Sequence, residues 1–302
     1  MATQTQIQYN RKLQQIVKLV RDDVNAELVP LVKQQAPEYV QDSEYTEYWE
    51  PRTTKWMIDQ DGLPFEHVTP ARLMGNYIYD GWPDIIATAL RRLLARWTSP
   101  FAQKQAQDIA AQFVRTSLDD NLRRSRSVGI DLYGGNQELQ GYMSAAAFQN
   151  ANLIKSIPVQ YLEQVQNIVV GNMRQGMRPS YIEQQLVKQF GVTTRRAKLI
   201  AADQTSKIQG EMNRIRQVNS GLEYFQWVTS HDERVRHSHT VAGDKVTAYG
   251  KGVYKWSDLP IVDGVPTFPG QPINCRCIAK PVTEMQVERN KKAGKTDPSV
   301  KR

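Results

Sequence analysis

The sequence predicts an α+β protein with a mainly helical N-terminal body and a small C-terminal β-containing module. Three observations carry this. Apolar residues recur at helical spacing in most segments between 6 and 219. Residues 222–282 change texture, becoming rich in Gly, Pro, Val and aromatics with short alternating stretches such as EYFQWV and KVTAY. Residues 283–302 are charged and nearly devoid of large apolar groups, the mark of a solvated, disordered basic tail. The expected divisions are a helical region over 1–150, a second domain over 151–282, and the tail over 283–302.

The first helix is expected over 6–35. Leu13, Ile16, Val17, Val20, Val24, Leu28 and Leu31 share one face, and Pro30 should interrupt the last turns. Residues 36–82 read as irregular. Tyr45, Tyr48, Trp49, Trp56, Tyr77, Tyr79 and Trp82 sit there among acids, prolines and glycines, as interface anchors or as caps on a helical core. Helices resume at 83–97 and 100–127, with Pro83 and Pro100 suited to first turns. Gly129, Gly134 and Gly135 break the pattern before another helix at 141–155. Pro158 should open the next helix, whose apolar face is Tyr161, Leu162, Val165, Ile168 and Val169. A short helix at 180–190 closes at Gly191. A long one at 193–219 is capped by Thr193 or Thr194 and buries Ala197, Ile200, Ala201, Ile208, Met212, Ile215 and Val218. Gly221 fits the position just past its end.

Apolar residues are 40% and charged residues 23% of the chain, which fits a folded protein rather than a disordered one. No run approaches the length of a membrane span, and the N-terminus lacks the apolar core of a secretory signal. The net charge of +8 is unevenly spread. Residues 1–150 hold 16 Lys/Arg against 18 Asp/Glu, and residues 151–302 hold 23 against 13. The basic half suits phosphate, an acidic protein surface, or simply solvent. Two cysteines, Cys275 and Cys277, form one C-x-C, too few for a disulfide framework and too close for an unstrained bond.

The most informative stretch runs from 152 to 281. It holds a helix containing RRAKLIA, then Gly221, an aromatic strand to Trp227, the block DERVRHSH, a turn at Gly243, and a closing C-R-C. In that order these elements resemble the phage head morphogenesis domain, known from phage Mu protein F and its relatives. The positions matching the pattern are Trp227, Asp232, Arg234, Arg236, His239, Gly243, Cys275, Arg276 and Cys277. Many relatives have a His shortly before C-R-C, where this chain has Pro272-Ile273-Asn274. The resemblance implies a minor head protein of a tailed bacteriophage. Such a protein enters the procapsid in few copies near the portal vertex, assists assembly or genome delivery, and resides in the virion after assembly in the host cytoplasm. The implied partners are the portal protein, coat or scaffold proteins, and genomic DNA.

Two chemistries are compatible with the residues. A structural zinc could be held by His239, Cys275 and Cys277, with His237 or Asp232 as fourth ligand, since thiolate and imidazole suit tetrahedral zinc. Alternatively the two cysteines are small buried residues on one strand face, with His239 a hydrogen-bonded neighbour. Asp232, Arg234 and Arg236 would share one face of an extended run, pairing internally with acids or binding phosphate. DNA could be bound or ejected through Arg195, Arg196, Lys198, Lys207, Arg214 and Arg216 on the long helix. A metal-dependent hydrolase built on His231, Asp232, His237 and His239 is the other alternative, but H-E-x-x-H, G-x-S-x-G, Walker A and G-x-G-x-x-G patterns are all missing. The expected role is therefore structural and non-enzymatic, with no cofactor beyond that zinc.

Overall fold

Long amphipathic helices carry most of the chain in the computed structural model, which describes residues 3–35, 46–49, 55–58, 64–67, 82–127, 137–175 and 177–299. The helices are α1 (Gln4–Glu27), α2 (Val29–Gln35), α3 (Trp82–Thr98), α4 (Pro100–Ser127), α5 (Gln137–Arg174) and α6 (Pro179–Asn219), followed by the short α7 (His237–Asp244) and α8 (Glu284–Lys292). No described helix is long and apolar enough to cross a membrane. The α+β class expected from the sequence is the class observed.

The N-terminal stripe is buried as its spacing requires, from Leu13 to Leu28, with Leu31 only partly covered and Val32 taking the next inward position. Leu28 forms the break before α2, two residues ahead of Pro30. The backbones of β1 (Thr46–Trp49), β2 (Lys55–Ile58) and β3 (Pro64–His67) form an antiparallel sheet inside the stretch read as irregular. The aromatic side chains expected there as anchors, and Gly129, Gly134 and Gly135, lie outside the described residues.

Two expected breaks are absent. Pro158 lies inside the 38-residue α5, and Gly191 inside the 41-residue α6. An interior proline costs about 3 kcal/mol and an interior glycine about 1 kcal/mol. Burial outweighs the first: Ile157 and Tyr161 flank Pro158 and are almost fully buried. Thr193 is not a cap. Its hydroxyl donates to the Gln189 carbonyl one turn earlier (3.1 Å), as a mid-helix threonine does. Val218, expected in the buried stripe, is 42% exposed. The true end of α6 is a Schellman arrangement. Gly221 takes φ +72°, its N–H donates to the Val218 carbonyl, and the Leu222 N–H donates to Gln217 (2.9 Å).

The chain divides into two units, with boundaries different from those expected. One comprises residues 14–104 and 155–196. Its core gathers Val20 and Val24 of α1 and Leu28 at its end with Ile86, Leu90 and Leu93 of α3, Tyr161, Val165 and Val169 of α5, and Ile182 and Leu186 of α6. The Trp97 indole N–H donates to Asp23 (3.0 Å), and Arg96 pairs with Asp23 and Glu27.

The other unit comprises residues 1–13, 105–154 and 197–302. Its helical part is tied by polar contacts. Tyr9 stacks on Phe113 and donates to Asn150, while Asn121 donates to Gln209 and Asn213. Its β-containing part centres on a three-stranded antiparallel sheet, ordered β10 (Ile278–Val282), β4 (Tyr224–Val228), β7 (Val253–Lys255). Trp227 pairs with Ala279, and Phe225 with both Pro281 and Tyr254. Alternation along β4 turns Phe225 and Trp227 into a core shared with Tyr254, Phe268, Cys275 and Cys277. Two small hairpins accompany it, β5 (Val246–Thr247) with β6 (Gly250–Lys251), and β8 (Ile261–Val262) with β9 (Val265–Pro266).

The expected disordered tail folds through residue 299. A capping box, with Thr283 and Gln286 exchanging hydrogen bonds, starts α8. Val287 is buried with Val253 and Val282, Asn290 donates to the Tyr249 carbonyl, and the Asp297 N–H donates to Thr247. One buried valine and one cap suffice because the sheet supplies the rest of the surface.

Two glycines mark where α6 meets the turn leading to C-R-C. A Cβ on Gly210 would lie 2.8 Å from the Pro269 carbonyl oxygen. One on Gly270, whose φ is +98°, would lie 2.9 Å from the Ser206 oxygen. Gly210→Ala should therefore destabilise this unit by about 1–3 kcal/mol through overpacking. Gly141→Ala, with nothing near its Cβ, should stabilise it by up to about 1 kcal/mol. Thermal unfolding of the two variants beside wild type checks this; equal shifts would refute the close approach.

Candidate functional site

His239, Cys275 and Cys277 are all buried, and one donor atom from each lies within 4.8 Å of the other two. His239 Nδ1 stands 3.7 Å from Cys275 Sγ and 3.6 Å from Cys277 Sγ. Among the described residues this is the one group of three or more His, Cys, Asp or Glu side chains so gathered.

Each donor is placed by a specific element. His239 lies in the first turn of α7, which packs on the sheet through small residues. A Cβ on Gly243 would lie 3.2 Å from the Trp227 carbonyl oxygen, and Tyr254 donates to the Ala242 carbonyl (2.7 Å). The imidazole stands edge-on to the Trp227 indole, 5.4 Å between centroids at 69°. Cys275 and Cys277 occupy the extended run entering β10, two residues apart, so both face inward while Arg276 faces out. Asn274 turns the chain just ahead of them with φ +57°.

Each sulfur has its own N–H neighbour. The Gly270 N–H donates to Cys275 Sγ at 3.3 Å. The Trp227 indole N–H makes no conventional hydrogen bond, but its proximity favours the Cys277 thiolate. A hydrogen bond from Cys277 outweighs burial and, with the Gly270 N–H, pulls Cys275 down to about 6. The same bond, with burial, pushes Cys277 far up. The His239 Nε2 atom is buried with no hydrogen-bond partner.

Two residues that sequence reasoning missed hold this arrangement. Asp203, a buried carboxylate on α6, accepts from the Asn274 backbone N–H (2.9 Å) and pairs with Lys207 (2.7 Å). Gln217, also on α6 and buried, donates to the Ala279 carbonyl and accepts from the Trp256 indole. Their only sequence signal is a polar residue on the apolar stripe of a long helix.

The other motif residues surround the cluster without joining it. Residues 230–236 form a turn, with His231 at φ +53°, rather than the expected extended run. Asp232, Arg234 and Arg236 are exposed and do not form a buried network. Asp232 pairs instead with Arg276, and accepts from the Arg234 N–H and the Ser230 hydroxyl. Desolvation raises its carboxyl, but these bonds together outweigh it and leave the carboxyl below the usual range. Arg236 donates to the Ile273 carbonyl (2.8 Å), tying the start of α7 to the cysteine loop. His237, expected as a fourth ligand, is exposed and lies outside the cluster, because helix positions two apart point to nearly opposite sides. Asp232 and His231 lie outside it too. A cleft of about 80 Å³ adjoins the cluster, lined by Ser230, Arg234, Arg236, Asn274 and Arg276.

The cationic set expected to face DNA is not one surface. Arg216 is 2% exposed, and none of its guanidinium nitrogens has a hydrogen-bond partner. Lys207 pairs with Asp203, Arg214 pairs with Glu211 and Glu138, and Arg196 donates to Ser156. Arg195 and Lys198 are exposed. Along α6 adjacent residues such as Arg195 and Arg196 point about 100° apart, so the six do not line one stripe.

The comparisons bear on the segment that builds the cluster. Residues 163–280 match the family described as Phage Mu protein F like protein, a span that contains His239, Cys275 and Cys277. The similarity to this family extends over that segment. Over 238 residues the chain is 31% identical to an uncharacterized protein of Haemophilus influenzae, an alignment covering 75% of this chain and 50% of that protein. The chain thus spans about half the length of this curated relative. No solved structure matches.

Within the Mu F-like segment, the buried and exposed aspartates should differ in weight. Asp203→Ala strands the Lys207 charge and the Asn274 N–H, and should cost about 1–3 kcal/mol. Asp232→Ala removes an exposed, solvent-screened pair and should cost less. Denaturant titration of both variants checks the order; a larger loss for Asp232→Ala would contradict it.

Proposed function

We propose that this chain is a minor structural protein of a tailed-phage head, acting in head assembly near the portal. The observation that carries the reading is the Mu F-like match over 163–280, the stretch whose Trp, His and Cys-Arg-Cys elements meet in one core. The partners proposed are portal, coat or scaffold proteins, and the proposed location is the virion, reached from the host cytoplasm during assembly.

A structural rather than catalytic role fits the site. Its Asp232 carboxylate is engaged with Arg276, and the histidines considered for a hydrolase, His231 and His237, lie outside the buried cluster. A protein that assembles with others needs fixed surfaces, and the cluster fixes where α7 and the strand entering β10 meet. Direct DNA binding or ejection through α6 is less favoured, since four of its six expected contacts are buried or engaged within the chain.

Mass spectrometry of purified particles from a phage or prophage carrying this gene tests the proposal. The chain should be present in few copies relative to the coat protein. Its absence from particles that package DNA normally would overturn the reading.

A further inference from the structure

We infer that His239, Cys275 and Cys277 form a zinc site with three protein ligands, His239 binding through Nδ1. Geometry is the first support. Zinc–sulfur bonds of about 2.3 Å and zinc–nitrogen bonds of about 2.0–2.1 Å at tetrahedral angles set a sulfur-to-nitrogen edge of about 3.6 Å. The two such edges here are 3.6 Å and 3.7 Å. Within reach of sulfur hydrogen bonds, these contacts also match two edges of a coordination tetrahedron.

Donor chemistry selects the metal. Two sulfurs and one imidazole make a soft set, suited to zinc and unsuited to magnesium or calcium. The Gly270 N–H, 3.3 Å from Cys275 Sγ, is the kind of outer contact that steadies a metal-bound thiolate. A Cys275–Cys277 disulfide would be strained, because the residues are two apart on an extended run.

The fourth vertex goes to solvent. The protein supplies three ligands, and the remaining side adjoins the cleft lined by Arg234, Arg236 and Arg276. The ion therefore joins α7 to the strand entering β10. It clips the two elements through ligands 36 and 38 residues apart in sequence. Binding energy of this kind becomes folding energy of the module that contains it.

The test uses the full chain, purified reduced and without chelator. Elemental analysis should find one zinc per chain. Titrating chelator-stripped wild type with cobalt(II) should produce thiolate-to-cobalt charge transfer and the intense visible bands of tetrahedral coordination, both abolished by zinc. Cys275→Ser and Cys277→Ser should each lose the metal. His231→Ala and His237→Ala should keep it at full stoichiometry. Should the serine variants fail to fold, the cobalt titration of wild type decides alone. A folded, fully reduced wild type that takes up neither ion overturns the inference, as does retention of stoichiometric zinc by either folded serine variant.

Discussion

The close seating of the 269–277 loop on α6 is the constraint from which the rest of the C-terminal unit follows. Gly210 and Gly270 let the two backbones approach until a methyl group would not fit between them. Asp203 then holds the Asn274 N–H from the same helix, and Gln217 holds the Ala279 carbonyl a few residues on. Fixed at these points, the extended run can place both sulfurs inward. Without that seating, Cys275 and Cys277 would be two small residues on a mobile strand end, and His239 would have nothing to meet.

α7 supplies the other half of the junction. It is only eight residues long and has no side-chain cap at its N-terminus, so its own hydrogen bonds hold it weakly. Its position comes from packing: Gly243 against the Trp227 backbone, the Tyr254 hydroxyl on the Ala242 carbonyl, and Arg236 on the Ile273 carbonyl. A short helix held through such contacts gains most from an added link near its start, which is where His239 lies.

Much of this was legible beforehand, for identifiable reasons. The first helix and the stripe of α6 were readable because burial on one face imposes a period that composition cannot hide. Breaks at Pro158 and Gly191 were misread because tertiary burial outweighs a local cost of a few kcal/mol. The folded tail was misread because Val287 is the single buried apolar residue among its described residues, too little for a pattern. The trio of His239, Cys275 and Cys277 was legible from chemistry and the ordered resemblance. That His237 and Asp232 stay outside the trio was not, since it depended on 230–236 turning and on α7 beginning at His237. Asp203 was missed because a carboxylate on an apolar helix face cannot be told from a solvated one until its partner, distant in sequence, is known.

Thiol protection in the native full chain tests the central geometry most directly. With chelator present, so that no metal shields the sulfurs, a small thiol reagent should modify Cys275 and Cys277 only as fast as the C-terminal unit opens. Modification should accelerate sharply when Gly210→Ala loosens the seating on α6. Reaction of both cysteines at the rate of an unstructured peptide, in wild type that circular dichroism shows to be folded, would contradict the account.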